Sequence, residues 1–139
     1  MAGYSSRTLA DKLGIKAGTR VTALQAPPTY AALLGTLPEG VTLQSRLSGS
    51  STFIHRFATR RHELVAEFPR IARALTDQGS VWISWPKLSS GVKTDLTENV
   101  VRELGLAQGL VDVKVCAVDE VWSGLKFVRR VANRRSKPG

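Results

Sequence analysis

Cys116 is the only cysteine of the chain. No internal disulfide is therefore possible, and its place within an apolar strand run is that of a small buried thiol in a reducing compartment. Long apolar runs are missing as well. None approaches the ~18 residues of a membrane-spanning helix, and residues 1–7 lack the apolar centre of a signal peptide. The expectation is a cytoplasmic protein without a membrane partner. Internal repeats and low-complexity segments are absent too. Reactive groups are few and scattered: His55 and His62 stand seven positions apart across an element boundary, with no carboxylate or Cys spaced to make either a metal ligand or a paired base. Asp119 and Glu120 are adjacent, so their side chains diverge. Sequence thus assigns no catalytic residue, no metal ligand and no cofactor.

Acids are also scarce, 11 against 20 Lys and Arg, which leaves a net charge of +9. A basic balance of this kind points to a partner that carries phosphates. Its distribution is lopsided, because Arg129, Arg130, Arg134, Arg135 and Lys137 follow Phe127 with no acid among them. The folded part is only mildly basic. Residues 132–139 are polar and basic around Pro138 and are expected to form a disordered tail. The expected organisation is one α/β domain over residues 1–131 and a basic tail over 132–139. The tail is either simply solvated or touches nucleic acid or an acidic partner, without the Arg, Gly and aromatic interleaving that stacks bases.

With 139 residues, 42% hydrophobic and 22% charged, the chain is long enough to bury one core without staples. Residues 8–13 read as a short helix with Ser5 or Ser6 as cap and Gly14 as stop. Residues 20–24 read as a strand, and Pro27 and Pro28 end it and open a helix over 29–34 closed by Gly35. Alternation over 41–47 predicts a strand with one wet face, and residues 52–57 the next strand. From Thr59 a helical period places Leu64, Phe68, Ile71, Ala72 and Leu75 on one face, with Pro69 expected to kink or split the helix. Residues 81–85 are nearly all apolar between Gly79 and Pro86, the pattern of a central strand covered on both faces. Asp95 and Glu98 read as a capping box for a helix ending near Ala107, with Glu98 and Arg102 paired a turn apart. Residues 111–117 and 125–131 then form an antiparallel hairpin.

A helix-rich, mostly parallel sheet ending in an antiparallel hairpin is similar to the class I methyltransferase fold. The stretches FIHRFATRRHEL, ALTDQGSVWISWPK, TDLTENVVRELGL and GLVDVKVCAVDEVWSGLKFVRR resemble a small bacterial family called domain of unknown function 3052. The likeness runs from about Thr8 to Arg130, including LADKLGIKAGTRV. It implies a shortened three-layer Rossmann-like, or methyltransferase-like, sandwich and no particular activity. Working methyltransferases hold S-adenosylmethionine over a Gly-rich turn after the first strand, since only glycine lets the backbone approach the cofactor. Here that turn is Leu24-Gln25-Ala26-Pro27-Pro28-Thr29, and no acid ends the second strand to grip a ribose.

The candidate site is the loop after the central strand, where Trp85, Lys87, Ser89, Ser90, Lys93 and Thr94 lead into a helix N-terminus. Cations, hydroxyls and free backbone N–H groups at such a place favour an anion. The loop lacks Walker spacing and reads also as an ordinary polar connection into a capped helix, and a tryptophan at the end of a buried strand, like Trp85, is more often a core residue. Three readings stay open: a non-catalytic domain that binds a protein or a small anionic ligand; an enzyme or ligand binder with a remodelled adenosyl or anion pocket; and nucleic-acid association through the tail.

Overall fold

A computed structural model describes residues 7–131. The expected tail over 132–139, with Arg134, Arg135 and Lys137, and the proposed cap residues Ser5 and Ser6 lie outside the described residues. Helix α1 (Leu9–Leu13) is capped by Thr8, whose hydroxyl accepts from the Asp11 N–H at 3.1 Å. Gly14 ends it with a φ of +85°, a left-handed conformation that glycine adopts without a side-chain clash. Strand β1 (Arg20–Leu24), helix α2 (Tyr30–Leu34) and strand β2 (Thr42–Gln44) follow, then β3 (Ser51–Phe57), α3 (Arg61–Ala74) and β4 (Leu75–Pro86). A short 3-10 turn (Leu88–Ser90), α4 (Glu98–Ala107), β5 (Leu110–Ala117) and β6 (Trp122–Arg129) complete the chain.

The six strands form one sheet in the order β2-β1-β3-β4-β6-β5. Strands β1 to β4 pair in parallel, and β6 is antiparallel to both β4 and β5. The result is a mixed α/β fold with a mostly parallel sheet and an antiparallel C-terminal hairpin. Alternation along the strands sorts the core into two clusters. Ile54, Val81, Ile83, Leu125 and Phe127 pack with Leu64, Phe68 and Ile71 of α3 and Val101 of α4. Val21, Phe53, Phe57 and Trp82 pack with Leu9 and Leu13 of α1 and Tyr30 and Leu34 of α2. Strand β4 feeds both clusters, as its apolar run requires.

Four sequence expectations need correction. Strand β2 covers three residues instead of seven, because it is the sheet edge and Leu43 stays 39% exposed, so alternation there had no face to bury. Helix α3 runs through Pro69 without a break. The carbonyl that the proline leaves unpaired is that of Val65, whose side chain is exposed, so water can serve it. Leu75 leaves the helix and begins β4, with a register shift opposite Ser51 and Phe53. Asp95 and Glu98 form no capping box: Thr97 accepts from the Val100 N–H at 3.2 Å, while Asp95 accepts from the Arg61 N–H of α3 at 2.7 Å. The Glu98–Arg102 pair does form.

Beneath α2 a chain of three polar side chains is sealed from water. The Tyr30 hydroxyl bonds His55 Nδ1 at 2.9 Å, and His55 Nε2 bonds the Ser84 hydroxyl at 2.8 Å. His55 is fully buried and stacks on Phe57 with ring centroids 4.3 Å apart. Burial pushes its pKa down from 6.5 to about 3 and raises that of Tyr30. A neutral imidazole carries one donor and one acceptor, enough to satisfy both neighbours at once.

Two tests follow from this packing. A Cβ on Gly105 would lie 2.1 Å from Phe127 Cε2, inside a ring that has no exposed surface. Gly105→Ala is therefore expected to destabilise the fold by about 1–3 kcal/mol. A urea midpoint unchanged by the substitution would refute this close approach of α4 to β6. Between pH 6.5 and about 3 the unfolded chain takes up a proton that folded His55 refuses, so stability falls with falling pH by up to ~1.4 kcal/mol per unit from this group. Urea unfolding across that range should show a shallower pH slope in His55→Gln than in the parent. Equal slopes would mean that the imidazole is not kept neutral by the fold.

Candidate functional site

Parallel pairing brings the carboxyl ends of β1, β2, β3 and β4 to one edge of the sheet. Because β1 is flanked by β2 on one side and β3 on the other, the strand order reverses there. Such an edge is where open α/β sheets hold ligands. Two cavities open on it. The larger, of about 650 Å³, has Thr59 and Arg60 from the β3–α3 connection and His62 from the first turn of α3 on one wall, and Val92, Lys93, Thr94 and Asp95 from the β4–α4 connection on the other.

The two walls are tied together by side chains acting on backbone. Thr94 donates its hydroxyl proton to the Thr59 carbonyl at 2.6 Å and accepts from the Leu96 N–H at 3.0 Å. Asp95 reaches across to the Arg61 N–H. Ser90 donates to the Lys87 carbonyl at 2.7 Å and accepts from the Val92 N–H at 3.1 Å. Lys87 is anchored by its own N–H, which donates to the Val121 carbonyl at 2.7 Å. The hydroxyls of Ser90 and Thr94 and part of the α4 N-terminus are thus engaged internally. Exposed cationic side chains at this cavity come from Arg60 and Lys93.

Of the loop residues singled out by sequence, Lys93 and Thr94 line the cavity. Lys87 and Ser90 form the turn beside it, Ser89 is exposed, and Trp85 is 6% exposed within the α3 and α4 cluster. Sequence reading missed Thr59, Arg60 and His62. Their signal was their position directly after the strand that neighbours β4, which becomes informative only when the sheet order is known. Of the basic C-terminal residues, Arg129 points inward: Nη2 donates to the Ala72 and Leu75 carbonyls at 2.5 and 2.7 Å, and Nε lies 3.6 Å from Asp77 Oδ1. That arrangement fastens the end of α3 to β6. Arg130 follows β6 and is exposed.

The second cavity, of about 510 Å³, lies over the ends of β1 and β2 and is lined by Leu24, Gln25, Arg46, Glu67 and Arg70, among others. Gln25 has a φ of +57°, which only a few percent of non-glycine residues adopt. Two residues on, the Pro27 carbonyl accepts from the Tyr30 N–H at 3.0 Å and closes the turn. Pro27 and Pro28 have no N–H to offer a ligand. Glu67 is the cavity's carboxylate, and it is held between buried Arg56, whose Nε approaches at 2.5 Å outside hydrogen-bond alignment, and Arg70 at 3.6 Å. Arg56 also donates to the Phe57 carbonyl at 2.6 Å. An adenosyl cofactor in its usual pose does not fit this donor set. The turn lacks glycine and loses two backbone donors to proline, no acid ends β2 to take a ribose, and the cavity's carboxylate, Glu67 of α3, is already paired with two guanidinium groups.

No protein-family model and no curated relative matches the chain. Several solved structures share its fold. A SAM-dependent methyltransferase from Aquifex aeolicus superposes with a TM-score of 0.62 at 14% identity, over 86% of this chain and 86% of that one. Magnesium protoporphyrin IX methyltransferase from Synechocystis PCC 6803 with bound SAM gives 0.56 at 10% identity, over 88% of this chain and 74% of that one. LepI in complex with SAH and a substrate analogue gives 0.54 at 16% identity; 88% of this chain is covered, spanning 39% of LepI. At such identities the likeness is one of fold, and the fold is methyltransferase-like.

Proposed function

We propose that this protein is a non-catalytic binding module of methyltransferase-like shape that takes a small anionic ligand or an acidic protein segment at the carboxyl edge of its sheet. The observation that carries this reading is the turn after β1, where Gln25, Pro27 and Pro28 stand in place of a glycine-rich cofactor loop. The edge nevertheless keeps cations around an open cavity, with Arg60 and Lys93 on opposing walls and His62 beside them. We also infer a three-layer arrangement, with α1 and α2 over one face of the sheet and α3 and α4 over the other, and membership of the domain of unknown function 3052 family on the stretches quoted above. Cytoplasmic residence belongs to the same inference.

One observation favours a second reading, a remodelled ligand pocket: the 510 Å³ cavity remains open over the ends of β1 and β2 even without the glycine turn. Calorimetric titration with S-adenosylhomocysteine separates the two. We expect no saturable heat and no rise in melting temperature; micromolar binding would replace the proposal with the second reading. Inorganic phosphate, followed by amide and imidazole shifts, is expected to move His62 and Thr94, and the Arg60→Ala, Lys93→Ala double variant should abolish those shifts. Phosphate shifts that survive in the double variant would remove the cavity from the proposal.

A further inference from the structure

Away from the carboxyl edge, four lysines come together where the end of α1 meets the face of β5 and β6. Lys114 and Lys126 are directly opposed across the β5–β6 ladder. Cross-strand partners point to the same face of a sheet, and like charges placed opposite one another oppose the pairing. The face they share is that of Cys116, Gly124 and Trp82, the α1 side, while α4 packs against the other face of the hairpin. Lys114 Nζ donates to the Lys12 carbonyl at 2.9 Å. Lys126 Nζ stands 3.5 Å from the point a Cβ on Gly14 would occupy. Lys12 and Lys16 lie two residues to either side of that glycine.

One ammonium near the last carbonyls of a helix is ordinary helix chemistry. Four are more than those carbonyls need, and none of the ion pairs among the described residues involves any of them. Asp11 precedes Lys12, but adjacent helical positions point about 100° apart. The mutual effect registers on both neighbours. The Lys126 ammonium is lowered first by burial and then by Lys114 and Lys16. The Cys116 thiol is raised by burial, with Lys114 and Lys12 acting in the opposite direction. A fold that tolerates a repelling pair in register, on a half-covered sheet face, breaks a local rule of the sort that functional sites break.

We propose that Lys12, Lys16, Lys114 and Lys126 form a binding site for a group of two or more linked phosphates. The four lysines are grouped about Gly14, with Lys12 and Lys16 flanking it in sequence, Lys126 Nζ beside it and Lys114 Nζ on the Lys12 carbonyl, so the site suits a compact polyanion more than the extended backbone of a nucleic acid. Lysine supplies a point charge with three donors, well matched to phosphate oxygens without fixed geometry. Gly14, lacking a side chain, leaves the approach to Lys126 open. The site is separate from the carboxyl-edge cavity and does not depend on it.

Cys116 supplies the test on the full chain. Phosphates seated among the lysines remove the cationic support of its thiolate, so iodoacetamide labelling of Cys116 at low salt should slow severalfold on saturation with inorganic pyrophosphate. Calorimetry under the same conditions should give saturable heat. In the Lys114→Gln, Lys126→Gln variant, which relieves the repelling pair and should fold at least as stably, both effects should vanish. In the Arg60→Ala, Lys93→Ala variant both should persist, which keeps this site distinct from the carboxyl-edge reading. Adenosine diphosphate in place of pyrophosphate tells a nucleotide from a free oligophosphate, and protection by either supports the site. Absence of protection, protection that survives loss of Lys114 and Lys126, or protection by duplex DNA alone would overturn the proposal.

Discussion

The second half of β4, Val81–Pro86, has no face left for water, and the rest of the fold is arranged around that constraint. Val81 and Ile83 point to one side and Trp82 to the other, all fully buried. An indole sealed in a core must still place its N–H, and Trp82 Nε1 donates to the Leu13 carbonyl at 2.9 Å. That single bond joins the central strand to the last turn of α1 across 69 positions of sequence. It also fixes where Gly14 and the flanking lysines sit relative to β6. On the same face Ser84 completes the Tyr30 and His55 chain, so a stretch over 81–86 that is otherwise apolar holds both α1 and α2 by polar contacts satisfied within the fold.

The same economy explains the carboxyl edge. Thr94, Asp95 and Ser90 spend their oxygens on backbone groups, binding the β3–α3 and β4–α4 connections into one rigid lip. That leaves the exposed Arg60 and Lys93 side chains and the exposed carboxylate of Asp95, whose Oδ1 is engaged, to face a ligand on this wall. Over β1 and β2 the balance runs the other way: Glu67 is drawn down to buried Arg56, which needs a counter-charge more than the cavity needs a carboxylate. A cofactor that asks for glycine flexibility and an acid at the end of β2 meets prolines and no acid there.

Local pattern made β1, β3, α3 and α4 legible, because the two strands are short runs buried on both faces, while the two helices each bury one stripe. It failed where burial did not enforce the pattern. Alternation over 41–47 reads like a strand, yet only Thr42–Gln44 pair, at an exposed edge. The cap of α4 was misread because Thr97 and Asp95 are both good cap residues, and only the tertiary contact shows that Asp95 serves α3. Arg129 looked like one more tail cation because nothing local says that the carbonyls ending α3, more than fifty positions earlier, lie within its reach. At the candidate site Lys93 and Thr94 were visible from their loop, whereas Arg60 and His62 joined them only through the adjacency of β3 and β4.

The lysine cluster carries this dependence on topology furthest. Lys12 and Lys114 are 102 positions apart, and no window of sequence brings them together. What does so is the reversal of β6 between β4 and β5, which sets Lys126 beside both Trp82 and Lys114. Once Trp82 is bonded to Leu13, the end of α1 has to lie over that point of the hairpin. Net charge alone suggested a phosphate-bearing partner and directed attention to the C-terminal arginines; the architecture concentrates positive charge at a place the linear distribution did not single out.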